Sequence, residues 1–359
     1  MNIGLFGYGV VGSGIHKLIK EKNLENEFNI TKVFARENKK ELLGSLLKTD
    51  INEILEDNTI DTIIEALGGD TLPYKIIKKA LSNGINVVTS NKEVVSNHLI
   101  EFIEIAHKNN CSFLFEASVG ASIPCIRKLI ENSKSNEITD IYGILNGTTN
   151  FILTKMEKYN MSFNSALKLA QEKGFAEANP ESDILGLDGV RKINILSSLA
   201  FNTAISNDSI YHFGIENVTE DIIKDLENMG FKLKFVCSSS KKENDIEIRV
   251  EPAIIKFDNP MAKIEDENNI VLYRSRTNKI SLVGKGAGAI PTATAILSDL
   301  MAIKENRGYI AFTNENKYTI NKTLNANKYY IIDSKNNKEF KTITNNDELK
   351  NVKFFARVI

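Results

Sequence analysis

A chain of 359 residues with 42% hydrophobic and 25% charged residues is globular in composition and long enough for two domains. Its 45 basic and 46 acidic residues nearly cancel, which excludes a basic footprint for nucleic acid or an anionic membrane surface. Apolar runs fall short of a bilayer span and the start lacks a secretory n-region, while three scattered cysteines fit neither a disulfide framework nor zinc, so a reducing cytoplasm is expected.

The first third alternates short β-branched runs with helical patterns. Strands are expected at Asn2–Phe6, Ile30–Ala35, Thr62–Leu67, Ile85–Ser90 and Ser112–Ala117, with helices at Gly12–Lys20, Pro73–Ser82 and Ser96–Asn109. Such alternation implies βαβ units and an α/β fold on a parallel sheet. After a strand at Ile138–Leu145 the pattern changes. Helices follow at Thr149–Tyr159, Ser162–Lys173 and Leu187–Phe201, then strands at Lys232–Cys237, Asp245–Val250 and Ile280–Val283. The turn Gly284–Gly288 opens a helix over Pro291–Ile303, and β-like pieces follow at Tyr309–Phe312, Tyr329–Ile332 and Val352–Val358. These readings divide the chain into a dinucleotide-binding domain (1–137 with 280–305), an α+β domain (138–279) and a short β-rich C-terminal extension (306–359).

Gly7-Tyr8-Gly9-Val10-Val11-Gly12 follows the first strand and opens a helix. Glycines there permit a tight turn and close approach to a pyrophosphate, and the helix N-terminus favours the anion, as in a Rossmann domain. The second strand ends Ala35-Arg36-Glu37. Arg36 suits a 2′-phosphate and leans to NADP, while Glu37 keeps NAD open. Lys92, in Thr89-Ser90-Asn91-Lys92, lies at the carboxyl edge of the sheet, as a ligand group or a plain surface residue.

The stretch from Gly174 to Lys192 gathers charge without repetition. Asp188 and Lys192 share one helix face, which continues through apolar Ile195 and Leu199. The pair is either an exposed ion pair or the wall of a buried cleft fit for proton transfer. His16, His98, His107 and His212 belong to no glycine-rich or acidic constellation, which leaves lysines as the acid/base candidates.

In this order the motifs resemble homoserine dehydrogenases. They are Gly-Tyr-Gly-Val-Val-Gly at 7–12, Thr-Ser-Asn-Lys at 89–92, Glu-Ala-Ser-Val-Gly-Ala-Ser-Ile-Pro at 116–124, Gly-Ile-Leu-Asn-Gly-Thr-Thr-Asn at 143–150, the Gly-Phe-Ala-Glu to Arg-Lys stretch at 174–192, and Gly-Ala-Gly-Ala-Ile-Pro-Thr-Ala at 286–293. The resemblance implies reversible NAD(P)-linked interconversion of L-aspartate 4-semialdehyde and L-homoserine in threonine, methionine and isoleucine biosynthesis. It implies that Glu177 and Asp188 hold the substrate, that Lys192 donates the proton, and that Lys92 is its companion at the hydride-transfer site. Tyr8, Val10 and Val11 within the glycine turn, Lys92, Gly174 and Gly288 match cofactor-contacting positions, and Leu67 or Gly68 supplies another. Glu116, Val119, Ala121 and Ile123 match a main-chain site for a monovalent cation, sodium in the family, and a homodimer is implied.

Longer members carry a C-terminal threonine-sensing ACT domain or a fused aspartate kinase. Only about 55 residues follow Lys304, so neither is expected, and the tail is expected to act as a structural cover. Aspartate-semialdehyde dehydrogenase is a rival reading, but it needs a cysteine nucleophile, and none of Cys111, Cys125 or Cys237 sits in a reactive setting. A non-catalytic NADP sensor would have no use for Lys92, Glu177, Asp188 and Lys192 together.

Overall fold

The computed structural model describes residues 1–307, 312, 318–321 and 326–359. The chain forms two compact units, Met1–Ile130 with Ala287–Asn314 and Glu131–Gly286 with Glu315–Ile359.

The first unit carries β1 (Asn2–Phe6), β2 (Asn29–Phe34), β3 (Leu47–Lys48), β4 (Thr62–Glu65), β5 (Asn86–Thr89) and β6 (Phe113–Leu114). They pair side by side in the order β3-β2-β1-β4-β5-β6, every neighbour parallel. This is the doubly wound order of dinucleotide-binding sheets. Parallel strands covered on both faces read as continuous apolar runs, and Ile3, Leu5, Ile63, Ile64, Val87 and Val88 are fully buried. The connecting helices are Val10–Glu21, Thr71–Ser82 and Lys92–Lys108. The last starts ahead of the expected Ser96 because Asn91 caps it, its side chain accepting from the N–H groups of Glu93 and Val94. The strand expected over Ser112–Ala117 shrinks to Phe113–Leu114. Beyond it the chain turns into a short 3₁₀ helix, Glu116–Ser118, where the Glu116 N–H donates to Asp299 Oδ2 at 3.0 Å.

The second unit is organised around a mixed sheet. Its strands are β7 (Ile138–Ile144), β8 (Tyr211–His212), β9 (Phe231–Lys242), β10 (Asp245–Lys256), β11 (Asn268–Ser275), β12 (Lys279–Lys285), β13 (Thr319–Ile320), β14 (Asn327–Asp333), β15 (Lys338–Ile343) and β16 (Val352–Val358). Among the described residues their order is β12-β11-β7-β9-β10-β16-β14-β15, with β8 and β13 also pairing β10. The helices Gly147–Tyr159, Phe163–Glu172, Leu187–Phe201 and Glu220–Asn228 complete it.

The domain bounds differ from the sequence expectation, beginning with the leading segment of the first unit, which ends at Ile130 rather than at 137. The segment over 280–285 does not return to the first unit, because β12 pairs antiparallel with β11; the return begins at Ala287, and the helix there spans Ala289–Lys304. Nor is the tail a separate extension. β16 pairs with β14 and, at Ala253↔Arg357 and Ile254↔Val358, with β10, so the tail strands belong to the second sheet. Tyr329, Ile331, Ile343, Leu349 and Phe355 form a buried cluster of their own. Tyr329 Oη donates to Glu251 at 3.1 Å, and the buried Arg249 holds the same carboxylate through Nε at 2.8 Å. The strand expected at 309–312 lies, apart from Phe312, outside the described residues. Among the described residues no helix is long and apolar enough to cross a membrane.

Candidate active site

In the first unit the carboxyl ends of β1, β2, β4 and β5 share one edge of the parallel sheet, and Gly7, Arg36, Gly68 and Lys92 follow them within a few residues. Gly7 has φ +96°, and a Cβ on it would sit 2.6 Å from the Ala66 carbonyl oxygen; on Gly12 it would sit 1.9 Å from that of Gly7. Gly9, which precedes the helix Val10–Glu21, is different. A Cβ there would meet nothing within 4 Å among the described residues, so the bare backbone faces open space beside a helix N-terminus. A dinucleotide pyrophosphate fits that arrangement. Gly68 is equally open.

The side chain of Tyr8 turns back onto this helix, its hydroxyl 2.9 Å from His16 Nδ1. Burial raises the Tyr8 pKa and lowers that of His16. Val10 is exposed and Val11 half-buried. Arg36 is exposed, and Glu37 beside it lies 3.5 Å from Lys40 Nζ. Lys92 is half-buried at the first position of its helix. Gly288, with φ +114°, precedes the helix Ala289–Lys304.

In the second unit the helix Leu187–Phe201 packs closely on β9 and β10. A Cβ on Gly189 would come 2.8 Å from Cys237 Sγ and 2.9 Å from Val250 Cγ1, so only glycine allows this approach. The helix therefore carries Asp188 and Lys192 inward, and they are 2% and 7% exposed. Their ion pair is 3.0 Å long, and Lys192 Nζ also donates to the Leu145 carbonyl at 2.7 Å. Of the alternatives left by the sequence, the exposed ion pair is thus excluded. Asn146, following β7, joins the group. Its Nδ2 donates to Asp188 Oδ2 at 2.9 Å and to Asp183 Oδ1 at 2.7 Å, while its Oδ1 caps the helix Gly147–Tyr159 by accepting from Thr149 N–H at 2.8 Å. These hydrogen bonds hold Asp188, Lys192 and Asn146 in one arrangement.

Glu177 and Gly174 are exposed, in the segment before the short helix Glu181–Ile184. Thr148 Oγ1 donates to the Phe175 carbonyl at 2.6 Å, and Gln171 Nε2 donates to that of Glu177 at 3.1 Å. The Phe151 and Phe175 rings pack with centroids 4.9 Å apart. The segment is thus anchored at its backbone, while its acidic side chain reaches solvent. Asn146, Asp183 and the Leu145 carbonyl carried no sequence signal of their own. The 143–150 motif contains Asn146, but a residue 42 positions from Asp188 shows its role only once folded.

In the segment expected to hold a cation, Val119, Ala121 and Ile123 are buried, and Ala121 has φ +46°, a left-handed turn that re-aims the chain. The Ile123 carbonyl accepts from Cys125 N–H at 2.7 Å, which occupies one of its lone pairs. The Glu116 carboxylate accepts from the N–H groups of Ile126 and Arg127 at 2.8 and 2.9 Å. Burial, then Glu116, pushes the Asp299 carboxyl up to about 8, and burial raises Glu116 also. Among the described residues no cluster of three or more His, Cys, Asp or Glu side chains could hold a metal. The cysteines form no disulfide, and burial pushes the Cys111 and Cys237 thiols up to about 11 and about 12, which disfavours a thiolate nucleophile.

A doubly wound unit with an open glycine turn, on the same chain as a buried lysine–carboxylate pair, defines a nicotinamide-dinucleotide oxidoreductase. The family model described as homoserine dehydrogenase matches residues 124–301, and that of the homoserine dehydrogenase NAD-binding domain matches 7–116. The homoserine dehydrogenase of Bacillus subtilis is 35% identical over 317 residues, 85% of this chain and 73% of the relative. The crystal structure of a homoserine dehydrogenase from Thiobacillus denitrificans superposes with a TM-score of 0.85 at 31% identity, covering 92% of this chain and 82% of that one. A hyperthermophilic archaeal homoserine dehydrogenase mutant in complex with NADPH gives 0.74 at 26% identity, covering 86% of this chain and 99% of that one. The chain belongs to the homoserine dehydrogenase family.

Proposed function

We propose that this chain reduces L-aspartate 4-semialdehyde to L-homoserine, reversibly, with Lys192 as the proton donor. The buried Asp188–Lys192 pair carries the reading. A bound nicotinamide dinucleotide supplies or accepts the hydride. Hydride arriving at an aldehyde carbon leaves charge on the oxygen, and an ammonium group within hydrogen-bond reach neutralises it by giving up a proton. An ammonium has three donors; Asp188 and the Leu145 carbonyl take two, which leaves one to aim at a substrate oxygen. Asp188, 3.0 Å away, orients the group. Glu177 and Asp188 offer carboxylates to the substrate's α-ammonium, and Lys92 supports the same step.

Gly7 to Gly12, Gly68, Lys92, Gly174 and Gly288 hold the dinucleotide. Arg36, exposed where the 2′ position of the adenosine ribose is read, favours NADP. Main-chain carbonyls at Glu116, Val119, Ala121 and Ile123 hold a monovalent cation, sodium by family resemblance, since hard cations take oxygen ligands. The same resemblance supports a homodimer, and three cysteines that form no disulfide suit a reducing cytoplasm. Homoserine with NADP+ or NAD+, followed at the absorbance of the reduced cofactor, tests the central reading; absence of turnover with either would reject it. Equal rates in sodium, potassium and a bulky organic chloride would remove the cation.

A further inference from the structure

We propose that Glu65 is a positioning residue of the cofactor edge, its buried carboxylate stapling the turn Ala66–Gly69 to the start of the helix that carries Lys92. Glu65 ends β4 and is fully buried. Its Oε1 accepts from Leu67 N–H at 2.7 Å, and its Oε2 accepts from the Thr89 hydroxyl at 2.5 Å. Thr89 Oγ1 in turn accepts from Asn91 N–H at 3.0 Å. Asn91 then closes the circuit. Its Nδ2 donates to the Gly69 carbonyl at 2.7 Å, and its Oδ1 caps the helix at Glu93 and Val94. The turn also touches the glycine motif: Ala66 N–H donates to the Phe6 carbonyl at 2.8 Å, and Gly7 packs on the Ala66 carbonyl.

An acid is a costly choice at the end of a strand covered on both faces, where apolar residues are the rule. Burial pushes this carboxyl up to about 7. What the acid does there is accept from two loops at once, and those loops present Gly68 and Lys92. Glu65 itself touches neither substrate nor dinucleotide; it acts through the two segments that it joins.

This inference rests on the reading that Gly68 and Lys92 face the cofactor, and the test separates the two. NADPH binding is titrated by fluorescence, with kcat, KM for NADP+ and KM for homoserine measured alongside, in Glu65→Ala, Glu65→Gln, Thr89→Val and Gly68→Val. Glu65→Ala is expected to raise the NADPH Kd and the KM for NADP+ about tenfold or more, since it strands two buried donors. Homoserine KM should stay within about twofold, because the substrate groups lie elsewhere. Glu65→Gln keeps an acceptor for Leu67 and should recover most of the affinity, while Thr89→Val should fall between. An unchanged NADPH Kd in Glu65→Ala, beside a weakened Gly68→Val, would overturn the role of Glu65 alone. An unaffected Gly68→Val would overturn the underlying reading of the edge. If Glu65→Ala does not fold, Thr89→Val decides: an NADPH Kd within about twofold of the parent overturns the proposal.

Discussion

The two units solve opposite problems. The edge of the first is open: among the described residues a Cβ on Gly9 or Gly68 would meet nothing within 4 Å, and Arg36 stands in solvent. The heart of the second is closed, with Asp188 and Lys192 almost wholly buried and bonded to Asn146 and the Leu145 carbonyl. A dinucleotide is large and anionic, so its site needs accessible backbone and a helix N-terminus. A proton donor needs one fixed position and little competing water, which burial in a bonded network supplies. Accessibility defines the first site and constraint the second.

Substitutions should therefore fail in different ways. Lys192→Ala should lower kcat by about 10²–10⁴, the usual contribution of a general acid, with the NADPH Kd little changed. Unfolding curves taken alongside separate lost chemistry from the roughly 3–5 kcal/mol of destabilisation that removing one partner of a buried ion pair brings. Near-full kcat in a folded variant would reject the donor role.

Gly9→Val inverts the pattern. Among the described residues nothing opposes the new side chain, and φ −87° lies outside the left-handed region that favours glycine, so Tm should change little while the NADPH Kd rises by about a hundredfold or more. A variant that binds NADPH normally would show that the pyrophosphate lies elsewhere. Arg36→Ala should act more narrowly. KM for NADP+ should rise about tenfold through loss of a charge-assisted bond to the 2′-phosphate, with NAD+ little affected. Equal effects on both cofactors would show that Arg36 does not read the phosphate.

The smallest effect concerns pH and stability. Burial, partly opposed by Thr89, Leu67 and Asn91, raises the Glu65 carboxyl from 4.5 to about 7. The folded state thus keeps this proton after the unfolded chain has released it. The contribution of Glu65 to stability is greatest at acid pH and declines as pH rises from about 4.5 to about 7. Urea unfolding across that window should show Glu65→Gln losing stability less steeply than the parent, by up to about one proton per unfolding event. Identical slopes would place the Glu65 pKa near its ordinary value.

Much of the first unit was legible because its signals are local. Parallel strands covered on both faces are apolar runs, and Gly7, Gly9 and Gly12 mark a turn whose chemistry follows from short spacing. Helix Leu187–Phe201 falls on the rough bounds that its repeating apolar face suggests. The second unit hid more. β9 was expected to close at Cys237, yet it continues through Ser238-Ser239-Ser240 to Lys242, because pairing with β10 supplies the partners that this polar run cannot announce. β15, with Lys338, Glu339 and Lys341, was hidden for the same reason and is defined by its pairing with β14.

By itself, then, the sequence determined the alternation of strands and helices, the glycine turn, and the shared face of Asp188 and Lys192, since each is set by residues a few positions apart. Only the tertiary structure decided that this face is buried, that Asn146 joins Asp183 to Asp188, that Glu65 links two loops, and that the tail completes the second sheet. Each of those depends on groups far apart in the chain, whose hydrogen bonds and burial exist only once folding brings them together.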